Sequence, residues 1–197
     1  GRDPLTSRSD RLLLRGALSA ADVTFEPVLP RLEGSHVAQL RMSSGAASSK
    51  RSGLWFSGER GQGLQLPPLS GGWAYGGFVT LSQGTRLATG LFHDPGRPDM
   101  ATPHTKSNKG VLLPFPGEDF VHDPPEGVTF PLNLADGRTT VSVALQPDFS
   151  SGGAEPFLPL LEGRIPYRLE PREPFPLEAV RPETFPKGTG TFAQKGS

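Results

Sequence analysis

Histidine stands directly before aspartate twice in this chain, at His93-Asp94 in "FHDPG" and at His122-Asp123 in "VHDPP". An imidazole beside a carboxylate is the pairing used by general bases and metal sites, because the carboxylate fixes the ring and its tautomer. The spacing argues against both roles here. The chain contains no His-x-His, no HExxH and no histidine pair at helical spacing among its four histidines. Each His-Asp is followed by proline, and Asp-Pro opens turns in which the aspartate bonds nearby main chain. Two turns are therefore expected, with no metal ligand and no catalytic residue.

Glu118, Asp119, Asp123 and Glu126 surround His122 in "GEDFVHDPPEG". A calcium loop needs oxygen ligands at tight alternating spacing and a glycine turn, and this stretch has neither. A solvated acidic loop is predicted. Serine is abundant, but no G-x-S-x-G elbow occurs. Carboxylate pairs for glycoside hydrolysis are set by distance in space rather than by sequence, and no strand-borne acid stands out. The absence of cysteine excludes a thiol nucleophile, a disulfide scaffold and a zinc–cysteine site. Two glycine-rich stretches, "GERGQG" at 58–63 and "GGWAYGG" at 71–77, lack the Lys-Ser/Thr ending and the following helix of a phosphate loop. No cofactor is expected.

The glycine-framed rings Trp73 and Tyr75 fall on one face of an extended segment, with Ala74 on the other. The main expectation is that they cap the end of a core. The sharper alternative is an exposed aromatic pair that binds a sugar or a protein. Trp55, Arg97 and His104 join Trp73 and Tyr75 as candidate binding residues.

The elements that must position these groups read as strands. Glycine and proline make up about a quarter of the 197 residues, which points to short strands and many turns. "HVAQLRM" at 36–42 alternates as a half-buried strand. "GLWFSG", "ERGQG" and "LQLPPL" suggest a hairpin. "FVTLS" and "TRLATGLF" read as two strands joined at Gln83-Gly84. Asp136-Gly137 is a favoured hairpin turn, and counting outward pairs Leu132 with Val141, Phe130 with Val143 and Val128 with Leu145. Only residues 5–33 leave room for a helix, and a short one or none is expected, because Gly16 weakens it and "VTFEPVL" reads as extended. The segment from 155 to 187 is punctuated by proline, with a strand over "GRIPYRL" and an extended arm over 170–197. Its phenylalanines Phe157, Phe175 and Phe185 must bury against this domain or a neighbour.

The fold expectation is all-β, an antiparallel β-sandwich or jelly-roll-like barrel with long Gly/Pro-rich loops and an extended C-terminal arm. A single domain over 5–197 is expected, the alternative being two β subdomains divided near residue 100, with 93–110 an exposed loop. "GRDP" at 1–4 resembles a vector-derived scar and implies an excised domain. Net charge is zero, so no basic excess supports nucleic-acid binding, and no stretch approaches 18 apolar residues. These features point to a non-catalytic structural or recognition domain of a surface assembly, such as a viral capsid, spike or fibre head. Its partners would be itself, as a homodimer or homotrimer, and a host cell-surface protein or glycan; it would sit on a virion surface or outside the cell. The alternatives are a carbohydrate-binding or carbohydrate-active β-sandwich module and an intracellular scaffold that takes a peptide at a sheet edge.

Overall fold

A computed structural model describes residues 14–19, 22–27, 32, 35–41, 51–58, 62–69, 71–99, 104, 115–120, 122–148, 155–180 and 187–191. Among them there is no helix. The strands are β1 (Leu14–Ser19), β2 (Asp22–Pro27), β3 (His36–Arg41), β4 (Gly53–Trp55), β5 (Trp73–Thr80), β6 (Arg86–Phe92), β7 (Gly117–Glu118), β8 (Thr140–Pro147), β9 (Leu158–Arg164), β10 (Pro174–Ala179) and β11 (Gly188–Thr191). They form an eight-stranded sheet in the order β6-β5-β8-β9-β10-β3-β4-β7 and a three-stranded sheet in the order β1-β2-β11, with every pairing antiparallel. The end strands β6 and β7 of the large sheet approach each other, so it nearly closes into a barrel. The chain is all-β, as its turn-rich composition predicts.

Alternation fills the barrel. Tyr75 and Val79 of β5 lie opposite Leu145 and Val141 of β8, and all four belong to one buried cluster with Phe56, Phe92, Leu161 and Phe175. The β5–β6 hairpin forms where its alternation and Gln83-Gly84 predict it, with the Leu81 amide donating to the Thr85 carbonyl across the turn. The framing glycines serve neighbouring rings. A Cβ at Gly77 would lie 2.8 Å from Phe56 Cζ, and one at Gly76 would lie 3.1 Å from Phe78 Cε2. Glycine lets those rings lie flat on the strand.

Several expectations are corrected. No hairpin forms at Asp136-Gly137. Both edges of β8 are occupied by β5 and β9, so no edge remains for residues 128–134. That segment instead packs Val128, Phe130, Leu132 and Leu134 onto the core without pairing. The turn itself is real: Gly137 has φ +74, and Asp136 Oδ1 accepts the amides of Arg138 and Thr139 at 2.8 and 2.7 Å. The second predicted hairpin is reduced to one bridge, Ser57 to Gly63, and "LQLPPL" is not a strand. β3 is buried on both faces from His36 to Leu40 rather than half-buried. Among the described residues of 5–33 no helix forms: "VTFEP" is extended as expected, and β1 and β2 pair from Ser19–Asp22 back to Leu14–Pro27, with Gly16 opposite Phe25; residues 5–13 lie outside the described residues.

The proline-rich C-terminal region contributes inner strands. β10 lies between β9 and β3, and Phe175 is buried in the core. β10 pairs with β3 through Pro174–Leu177 but with β9 only through Glu178 and Ala179. Its prolines therefore fall where the β9 side makes no ladder pairing, which is how a strand with two prolines can be internal. Pro159 stands at the register shift between β8 and β9 for the same reason. Within "GRIPYRL" only Gly163 and Arg164 are strand. Phe157 remains half-exposed, tilted against Trp73 at 5.6 Å between ring centroids. Phe185 lies outside the described residues.

Candidate functional site

The polar groups that the fold draws together most closely lie beside the seam, where β7 meets β4. The sheet register puts Glu118 opposite Leu54 and Gly117 opposite Trp55. Directly opposed residues share a face, so Glu118 lies on the same side as the core residue Leu54, and it is fully buried. Its oxygens hold main chain: Oε1 accepts the Asp119 amide at 3.0 Å and Oε2 the His104 amide at 2.9 Å. Asp99 Oδ2 accepts the Gly117 amide at 3.1 Å. The two carboxyls thus tie positions 99 and 104 to the two-residue strand β7.

Burial pushes the Asp99 carboxyl up to about 8, and the charge of Glu118 adds to the rise, against the lowering effect of the Gly117 amide. At neutral pH Asp99 is largely protonated. His104 sits against Phe120 at 5.8 Å and Phe130 at 5.6 Å between centroids, and those two rings meet at 6.0 Å. Burial lowers its pKa, although the Asp123 carbonyl and carboxylate oppose that. Facing the Asp123 carbonyl at 3.0 Å, His104 Nδ1 is the donor. Phe120 and Asp123 hold φ of +47 and +46 around this cluster.

The predicted acidic loop is therefore divided. Glu118 and Asp119 are buried, while Asp123 and Glu126 remain exposed. Of the two His-Asp pairs, the first forms the expected turn and the second does not. Asp94 Oδ1 accepts the Gly96 amide at 2.8 Å, and His93 turns to Asp148 at 3.0 Å instead of to its neighbour. His122 Nε2 lies 3.4 Å from Asp123 Oδ2, and the His122 amide donates to the His104 carbonyl at 3.1 Å. Among the described residues no group of three His, Asp or Glu side chains is arranged to hold a metal ion.

The aromatic candidates are core residues, which corrects the exposed-platform alternative. Trp73, Tyr75 and Trp55 are 6%, 0% and 3% exposed. The Tyr75 hydroxyl donates to the Pro67 carbonyl at 2.6 Å, and burial raises its pKa. Trp55 lies over Gly117, where a Cβ would come within 3.1 Å of Trp55 Cδ1. Arg97 is exposed and 3.3 Å from Asp94. Of the candidate binding residues, only His104 joins the seam cluster.

A second region went unmarked in the sequence. The segment 165–172 links β9 to β10, pinned by the Arg168 amide to the Ala135 carbonyl at 3.0 Å and by the Arg172 amide to the Leu40 carbonyl at 2.7 Å. Arg168 and Arg172 hold φ of +59 and +74. Tyr167 is 66% exposed, with the Arg168 guanidinium 5.0 Å from its ring centroid. No motif marks it, because "IPYRLEPRE" reads as one more proline-punctuated segment.

No protein-family model matches this chain, and no significant match to it is found among curated proteins or solved structures.

Proposed function

We propose that this is a non-catalytic structural and recognition domain of a surface assembly, of the kind that forms a viral capsid, spike or fibre head, which self-associates and binds a host surface protein or glycan through loops. The observation that carries the reading is the 165–172 segment: an exposed Tyr167 under Arg168, held by main-chain bonds and two arginines in the left-handed region. Recognition surfaces favour tyrosine and arginine on loops positioned by a rigid scaffold, and uncommon backbone conformations cluster at functional sites. The seam carboxyls, by contrast, have oxygens occupied by main-chain amides. A sugar module built on Trp55, Trp73 and Tyr75 has no support, because those rings are buried.

The test is binding of the labelled domain to a glycan array and to a panel of cultured cells, with Tyr167→Ser and Arg168→Ser alongside. Binding by the parent chain, reduced at least tenfold in both variants with unchanged melting, supports the reading. No binding by the parent chain, or equal binding by all three, overturns it.

A further inference from the structure

Two carboxylates face each other across the barrel wall, with no cation paired to them among the described residues. Glu162 of β9 lies directly opposite Glu178 of β10, and both are exposed. Like charges in direct cross-strand register repel. Among the described residues neither makes an ion pair. Arg164, two residues along β9 and therefore on the same face, is exposed and is not paired with either of them. That face continues into Ser142 and Thr140 of β8, which lie opposite Glu162 and Arg164. A level of negative charge thus lies one pleat repeat from a level of positive charge, and neither neutralises the other within the chain.

We propose that the outward face of β8, β9 and β10 is a two-fold contact between copies of this chain, in which Arg164 of one copy meets Glu162 and Glu178 of the other. The proposal rests on the self-association in the reading above. A two-fold axis lying between the facing sheets, across the strands and midway between the levels of Glu162 and Arg164, exchanges those levels. Arg164 of each copy then stands over the carboxylate pair of its partner, twice per dimer, as an isologous interface requires. Arginine suits this position because its planar fork can bond two carboxylates at once. The chain carries no net charge, so two copies meet without overall repulsion. The like-charged register, unfavourable in one copy, becomes a binding site in two.

The experiment is sedimentation equilibrium on the intact chain, on Glu162→Arg, on Arg164→Glu, on the double variant, and on an equimolar mixture of the two single variants. The expected result is a dimer for the parent chain, association weakened at least tenfold towards monomer in each single variant, and a restored dimer in both the double variant and the mixture. Rescue in the mixture also shows that the single variants are folded. A dimer that persists in both single variants overturns this contact while leaving self-association standing. Loss in the single variants without rescue in the mixture overturns the two-fold register. A parent chain that is monomeric at every concentration overturns the contact and the self-association together, and a trimer overturns the two-fold contact alone.

Discussion

Asp99 and Glu118 are two carboxyls brought to the seam of the barrel, whereas Glu162 and Glu178 are two carboxylates brought together on its outer wall. In the first pair Glu118 is fully buried and Asp99 partly so, and both have main-chain donors: the amides of Gly117, His104 and Asp119. One member answers burial by holding its proton. The second pair is exposed to water, and among the described residues it has no donor. The difference teaches where each pair can act. A pair that is drawn inward and holds main chain is an internal clasp, and an exposed pair left open is available to another molecule.

The largest effect that can break this contrast is expected for Glu118→Leu. It leaves the His104 and Asp119 amides without their acceptor, at about 1–3 kcal/mol each. Urea unfolding should show a loss of that size, and Glu118→Gln should lose less; equal stability of the leucine variant would mean that the clasp is unimportant. Next is the pH dependence carried by Asp99. Its carboxyl binds a proton more tightly in the folded chain than in the unfolded one, where its pKa is near 3.8. Its contribution to stability is therefore greatest at low pH and falls as pH rises from about 4 to about 8. His36 and His104, whose pKa values burial lowers, act in the opposite direction, so the comparison must be with Asp99→Asn. Unfolding followed across that range should fall more steeply for the parent chain than for the variant, and parallel curves would refute the assignment.

A smaller effect is expected for His104→Ala. It removes one ring from the contact with Phe120 and Phe130 and should lower stability by about 1–2 kcal/mol. His104→Phe should retain most of it in the same melts. The smallest concerns the outer pair. Glu178→Gln relieves the like-charge register and should stabilise the monomer at low salt by about 0.2–1 kcal/mol, with the gain vanishing at high salt. A destabilised variant would show that Glu178 already has a favourable partner within one copy.

Much of the fold was legible because it depends on local pattern. Alternation with Gln83-Gly84 marked β5 and β6, the period of "HVAQLRM" marked β3, and the density of glycine and proline marked an all-β chain. Aspartate before proline correctly implied a turn at Asp94. What failed was local pattern extended to partners. The segment 128–134 alternates convincingly against 139–145, yet β8 has its two edges filled by β5 and β9, which lie 60 or more residues upstream and a short loop downstream. Proline in "REPFPLEA" indicated an arm, but a staggered pairing with β9 makes room for it inside the sheet.

The sites divide in the same way. A strand's own sequence decides which side each residue faces, because side chains alternate with a period of two. It therefore determined that Tyr75 and Val79 share a face and that Glu162 and Arg164 share another. It did not determine what lies across the ladder. That Glu118 faces the core beside Asp99, that Trp55 and Trp73 are covered, and that Glu162 meets Glu178 all follow from strand order and register. Those are fixed by the packing of segments distant in the chain, and only the tertiary structure decided them.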